Sequence, residues 1–290
     1  MLKIGHAELR RVEEMTSSMP MALFTTDEAF LAEHSHWLSP AFMDAAGQCP
    51  MVFHSWLLVA DGKLVVIDPC AGNDRHFPHY PMFHMLKTPY LERFEATGFR
   101  PEEVNYVFCT HLHGDHCGWN TRLRGDRLVP TFPNARYLMV RREFERWDPR
   151  RPGHKSVREN EGVFESSVLP VLEAGLVDLV EVEHSMLPSL AIEPSNGHTL
   201  GHSSMHLRSD SREAYFAGDA FHNVIQLVNP DLDVGGAEDL PATCASRRRL
   251  IRRCIDRNAL LVPAHFPAPY AGWVREQNGK TVFVPIDVEI

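Results

Sequence analysis

The stretch that decides the fold reads Val104-Asn105-Tyr106-Val107-Phe108-Cys109-Thr110-His111-Leu112-His113-Gly114-Asp115-His116. Its first six residues form a largely apolar run with β-branched and aromatic members, the composition of a short buried strand. Its last six, HLHGDH, hold three imidazoles and a carboxylate. Imidazole nitrogens and carboxylate oxygens are the donors that zinc and similar borderline cations take. A strand ending in such a cluster predicts a site at a sheet edge, on loops held by a rigid scaffold. Histidine is frequent here, 17 of 290 residues, and a polar histidine-rich loop would show the same string. The remainder of the chain has to decide between the two readings.

Composition narrows the classes. Apolar residues make up 44% and charged residues 23%, ordinary values for a globular protein. A net charge of −9 argues against a nucleic-acid partner, whose phosphates call for clustered Lys and Arg. No apolar run approaches the roughly 20 residues of a membrane span, so no membrane partner is expected. The opening MLKIGHAELRRVEEM has no apolar segment of the secretory kind. Six cysteines (Cys49, Cys70, Cys109, Cys117, Cys244, Cys254) are scattered without a C-x-x-C pair, the pattern of reduced thiols in a cytoplasmic protein.

Upstream of HLHGDH, residues 1–46 read as an N-terminal extension with one short strand at 2–4 and a helix DEAFLAEHSHWL closed by Pro40. MVFHSWLLVADGKLVVIDPC (51–70) is two apolar runs joined at Asp61-Gly62, which predicts a β-hairpin. Residues 71–100 are rich in aromatics, prolines and histidines and read as a lid or substrate loop, with a helix near its end. Downstream, VPTFPNARYLMV predicts a strand, REFERWD a helix, and 148–162 a polar surface insertion. A helix near 163–174, a strand at 177–183, and strand–loop–strand around GHTLGH follow. AYFAGD (214–219) is a strand ending in Gly218-Asp219. The helix at 239–259 carries Arg247, Arg248, Arg249, Arg252 and Arg253, expected on its solvated side. ALLVPAHF and KTVFVPIDVEI end the chain, the latter as a closing strand or tail. The alternation of strands, hairpins and helices predicts two mixed sheets covered by helices, in one domain spanning 1–290.

Three more ligand-type residues stand at strand ends or just beyond them: His202 in GHTLGH, Asp219 in FAGD and His265 in PAHF. Singly each is ordinary. Together, His111, His113 and His202 would make one three-histidine site, Asp115, His116 and His265 a second, and Asp219 could bridge them. Asp68 closes the second hairpin strand; it is either a turn-forming Asp before Pro69 or an acceptor that orients a ligating histidine.

HLHGDH, GHTLGH, the later GD and PAHF, in this order over about residues 50–266, resemble the metallo-β-lactamase fold superfamily. The resemblance implies an α/β fold, a four-layer αββα sandwich, with a binuclear site at the sheet edges. It implies two divalent ions, most simply Zn2+ (Mn, Fe or Co being alternatives), held by His111, His113, Asp115, His116, His202, Asp219 and His265. Asp115 and Asp219 take the catalytic roles, and Asp68 and His198 support the ligands. Asp219 is present and no cysteine lies between it and His202, which sets the chain apart from true metallo-β-lactamases. Among branches with all seven ligands it looks most like acyl-homoserine lactone lactonases and methyl parathion hydrolase-like enzymes. The tyrosine that lactonases often place near the bridging aspartate has no counterpart, since Tyr215 precedes the GD on a strand. The expected reaction is hydrolysis of a lactone or related ester, phosphotriesters included, of a small apolar substrate. A glyoxalase II-type thioesterase and a silent metal-binding protein are the alternatives. Trp119, Phe221, His222, Ile225, Phe77, Tyr80 and Phe83 are the expected substrate-pocket residues, and the N-terminal and 71–100 segments are candidate homodimer surfaces.

Overall fold

A strand of 13 residues and one of 5, joined by Asp61-Gly62, form the spine of the first sheet. The turn residues have φ of +50° and +70°, which suits a tight hairpin turn. In chain order, the computed structural model, which describes residues 1–287, runs β1 (Leu2–Ile4), β2 (Ala7–Pro20), helix α1 (Glu28–Leu38), β3 (Gln48–Ala60), β4 (Lys63–Ile67), α2 (Tyr90–Ala96), β5 (Tyr106–Phe108), α3 (Gly114–Cys117), β6 (Thr121–Arg124), β7 (Arg127–Pro130), β8 (Arg136–Val140) and α4 (Arg141–Trp147). The second half adds α5 (Leu169–Glu173), β9 (Val177–Val180), β10 (His184–Leu187), β11 (Leu190–Pro194), β12 (Ser203–Ser209), β13 (Arg212–Gly218), α6 (Ile225–Val228), α7 (Leu240–Arg257), β14 (Leu260–Pro263), β15 (Gly272–Gln277) and β16 (Lys280–Pro285). The last three residues of the expected closing segment lie outside the described residues.

One seven-stranded sheet has the order β1-β2-β3-β4-β5-β8-β9 and the other runs β10 to β16 in sequence order. β4, β5, β8 and β9 are parallel to one another, as are β13 and β14; the other pairs are antiparallel. Period-two alternation sorts the side chains of each strand into layers. Leu58, Val65, Ile67, Phe108 and Leu138 of the first sheet meet Ile192, Met205, Leu207, Phe216 and Val262 of the second in one buried cluster. Their neighbours Leu57, Val66, Val107 and Met139 face outward against Phe94, Phe144, Trp147 and Val171 of the helices. On the far side Tyr215, Ala217 and Leu261 meet Leu38, Leu227, Leu250 and Cys254. Each fully buried side chain of this kind contributes about 1.5–3 kcal/mol. The result is an αββα sandwich.

Several elements differ from expectation. Residues 7–20 are a strand that pairs with β3 from Glu8↔Val59 to Pro20↔Gln48, with a register shift between Glu13 and Met15. Ala7 and Leu9 face the cluster between the sheets, but Arg11 breaks that alternation and Val12 packs on the opposite face. The β6–β7 hairpin, β10 and β15 were also unforeseen. The arginine helix is not solvated all along one side. Arg247 is fully buried, and its guanidinium donates to the carbonyls of Ala220, Pro230 and Leu232 and to Asp233. Arg249 donates to the Pro194 carbonyl. Here arginine fastens the chain beyond Asp219 to α7.

The six cysteines are buried and unpaired, and no helix among the described residues is long and apolar enough to cross a membrane. The carboxyl ends of β4, β5, β13 and β14 reach the same edge, so the segments starting at Asp68, Cys109, Asp219 and Ala264 converge there.

Candidate metal centre and catalytic cleft

Asp68 has φ +50° and turns its carboxylate back on the end of β5. It accepts from the Thr110 amide at 2.7 Å and from the Thr110 hydroxyl at 2.9 and 3.1 Å, and its Oδ2 lies 3.2 Å from His116 Nδ1. Asp68 therefore lies beside the His116 ring, the place that the second of its two readings requires. α3 is one turn long, begins directly after His113, and presents Asp115 and His116 to the cluster. Gly218 permits the close crossing of the two sheets here. A Cβ on it would sit 2.6 Å from both His202 Nε2 and Thr110 Oγ1, and its φ is +51°.

Two groups of donors face one another. His113 Nδ1 is 3.0 Å from His111 Nε2 and 3.0 Å from His198 Nε2. Opposite, His116 Nε2 and His265 Nε2 are 3.2 Å apart, each 3.6 Å from Asp115 Oδ2. Asp219 lies between the groups. Its Oδ1 is 3.1 Å from both His116 and His265, while its Oδ2 reaches His222 at 3.2 Å, His198 at 3.4 Å and His111 at 4.0 Å.

The two histidines of GHTLGH are placed the other way round from expectation. His202, expected as a ligand, has both ring nitrogens engaged: Nε2 accepts from the Asp219 amide at 3.1 Å, and Nδ1 meets Ser195 Oγ at 2.9 Å. It stands one residue before β12, clasped by the neighbouring strand ends. His198, expected as a support, projects from the loop and completes the group with His111 and His113. His222, expected against substrate, also joins the cluster through Asp219 and His198.

Burial pushes the pKa of His111 and His198 well below the ordinary imidazole value, and those of His113 and His202 down to about 4. On the other side burial also works against the charged ring, but Asp219, Asp115 and Asp68 outweigh it and raise His116 well above the usual value; His265 is raised mainly by Asp219. Asp219 itself is held far below the carboxylate range: burial opposes ionisation, and His116, His265 and His222 overcome it. One half thus consists of neutral rings and the other draws protons. His113 Nδ1 faces two neutral rings at 3.0 Å and, carrying either one N–H or one lone pair, can satisfy only one of them. Donors around a tetrahedral zinc, with Zn–N of about 2.0–2.1 Å, would be about 3.3 Å apart. The residues fit divalent cations.

Above the cluster opens a cleft of about 510 Å³, lined by Met19, Met51, Phe53, Met82, Val157 and Val234, with Tyr80, Glu159 and Asn160 also on its walls. Of the expected pocket residues, Tyr80 and His222 line it. Phe77, Phe83, Trp119, Phe221 and Ile225 do not, being buried in the core. Trp119 stacks on Tyr90 at 4.9 Å and donates to Glu14, and Phe83 backs the wall residue Phe53 at 5.1 Å. Large aromatics near ligands in sequence were needed for packing, while unbranched methionines form the walls. Residues 157–160, read as part of a surface insertion, also take part: Asn160 accepts from the Gly114 amide and donates to the Leu112 carbonyl. An Asn in a polar stretch carries no sequence signal for this.

A family model described as the metallo-beta-lactamase superfamily matches residues 52–265. The chain belongs to this superfamily. Among curated proteins, this metallo-beta-lactamase superfamily member is similar to an N-acyl homoserine lactonase of Bacillus sp, 22% identical over 147 residues, covering 48% of the chain and 50% of that relative. The chain spans about half the length, or less, of the curated relatives it matches. Among solved structures, the superfamily fold is shared with the hydrolase AbOPH (TM-score 0.79, 20% identity, covering 100% of this chain and 97% of that one). It is also shared with AidC, a dizinc quorum-quenching lactonase in complex with a product (TM-score 0.75, 18% identity, covering 99% and 97%).

Proposed function

We propose that this chain is a binuclear metal-dependent hydrolase that opens lactones or related esters of small apolar acyl compounds, N-acyl homoserine lactones foremost. The observation that carries this is a pair of three-donor groups sharing Asp219 at the floor of an apolar cleft. His111, His113 and His198 would hold one ion and Asp115, His116 and His265 the other, with Asp219 touching both. Zinc suits this nitrogen and oxygen set, and two such ions supply a polarised substrate oxygen and a hydroxide at neutral pH. Asp115, the least buried acid of the cluster, faces the cleft. It is placed to accept the proton of the attacking water and return it to the leaving alkoxide. Asp68 fixes the ring of His116, and the Val52 carbonyl, 3.1 Å from His265 Nδ1, fixes that of His265.

The walls favour this reading over a glutathione thioesterase. No Lys or Arg is among the described residues lining the cleft, so the two carboxylates of a glutathione thioester would find no counter-charge. Methionines offer an adaptable apolar surface to an acyl chain. The relatives named N-acyl homoserine lactonase support the same choice. The test is a panel of N-acyl homoserine lactones of graded chain length, aryl esters, methyl parathion and a glutathione thioester, on zinc-loaded protein with His113→Ala as control. Expected is a kcat/KM for the best lactone at least about 100-fold above the thioester, a gap of about 2.7 kcal/mol in transition-state binding. A preference for the thioester, or turnover unaffected by His113→Ala, would overturn the proposal.

His222 anchors the second oxygen of Asp219 through Nε2 at 3.2 Å. His222→Phe is expected to lower kcat by about 10–100-fold, the usual cost of removing a hydrogen bond that orients a ligand. Both ions should remain in metal analysis; loss of an ion would make His222 a ligand in its own right.

A further inference from the structure

Glu143 lies on α4, 1% exposed, behind the histidine-rich half of the cluster. Its Oε1 accepts from the Leu112 amide at 2.9 Å and from Trp147 Nε1 at 2.7 Å. Its Oε2 accepts from the Thr199 hydroxyl at 2.7 Å and the Gly201 amide at 3.1 Å. None of these four donors is a cation. A buried carboxylate is tolerated only when hydrogen bonds replace its water, and here all four come from groups that position histidines. Leu112 is the residue between His111 and His113, and Thr199 directly follows His198. Trp147 holds its ring 5.3 Å from His113. The approach is close: a Cβ on Gly201 would sit 2.3 Å from the Glu143 amide nitrogen and 2.6 Å from its Cβ, so glycine is required there.

The other half of the cluster is held differently. His116 is held by Asp68 and His265 by the Val52 carbonyl. Glu143 therefore ties together the two loops that form one donor group and makes no bond to the second.

We propose that Glu143 is a positioning residue that sets the affinity of the ion held by His111, His113 and His198, leaving the ion held by Asp115, His116 and His265 unaffected. This rests on the two-ion reading above. The distances carry the inference: one carboxylate clasps the backbone on both sides of a three-histidine group whose nitrogens must converge to within about 3 Å.

The test uses Glu143→Gln, which keeps the shape but turns an amide N–H toward two donors, and Thr199→Val, which removes a single donor and leaves the packing in place. Metal-free protein of residues 1–290 is titrated with Co2+ and followed by its visible absorption. Zinc content is measured in parallel at buffered free Zn2+. Wild type is expected to take up two ions. In Glu143→Gln one ion should bind about 10–100-fold more weakly while the other keeps its wild-type affinity. Thr199→Val should shift the same ion by a smaller factor. A merely structural role would weaken both ions together, along with the melting temperature of the metal-free protein, and that result overturns the proposal; so does unchanged affinity at both sites. Should Glu143→Gln fail to fold, Thr199→Val alone decides. A wild-type chain that binds fewer than two ions removes the two-ion reading itself, and the role of Glu143 with it.

Discussion

Replacing Asp219 by Asn is expected to leave one tightly bound ion per chain and to lower kcat on the best lactone by about 10³-fold, within the range of roughly 10²–10⁴ for losing a group that manages charge at the reacting centre. Both oxygens of this side chain are committed. Oδ1 is 3.1 Å from His116 and His265, and Oδ2 is within 4.0 Å of His222, His198 and His111. Asn keeps the shape but loses the charge, and its NH2 group has no lone pair to offer a cation. Burial opposes ionisation of this carboxylate, but His116, His265 and His222 hold its pKa well below the ordinary carboxylate range, so its charge is part of the site at neutral pH. Metal analysis with steady-state kinetics reads both effects. Two retained ions together with full activity would show that the shared carboxylate is dispensable.

The same residue shows how far the sequence could be read. Asp219 stands at a strand end after Gly218, and HLHGDH stands after β5; strand-end placement is a local property, visible as an apolar run that stops. The sheet-edge architecture and most of the cluster were legible for that reason. Choosing between His198 and His202 was not, because the two occupy equivalent places in GHTLGH. The choice depends on Ser195 and the Asp219 amide, which reach His202 only across the folded edge. The cleft walls were hidden more deeply. Met19, Met51 and Val234 come from three distant segments, and nothing local distinguishes a wall methionine from a core one. β2 was concealed by its own polar residues, since a strand solvated along part of one face carries a weak alternation. Glu143 reads as an ordinary helical glutamate until Leu112 and Thr199 are brought to it.

On the proposed two-ion reading, stripping the ions is expected to abolish turnover and to leave a protein whose stability peaks in the pH range just above 6.5. His113 and His202 have folded pKa values of about 4, against about 6.5 for an unperturbed imidazole. Between those values the unfolded chain binds more protons than the folded one, so stability falls as pH falls. The slope is about 1.4 kcal/mol per pH unit for each ring, on the order of 3 kcal/mol each across the window. His111 and His198 are depressed in the same direction and steepen the decline. His116 and His265 are raised; their contribution is complete below pH 6.5 and is lost as pH climbs through their folded values. Bound ions change both limbs. Each ion adds about 2.7 kcal/mol at a free concentration of 100 Kd, and it must be released as its histidines take up protons, because ligation requires the deprotonated ring. The loaded protein should therefore be the more stable form at pH 7, and its advantage over the metal-free form should shrink toward pH 5 through the ion that Asp115, His116 and His265 would hold, because the rings of the other group stay neutral over this range. Urea denaturation midpoints of both forms, measured from pH 8 to pH 5, give the two curves. A metal-free curve that is flat between pH 7 and 5 would mean that these histidines titrate normally in the fold, and the converging neutral rings on which the metal centre rests would have to be abandoned.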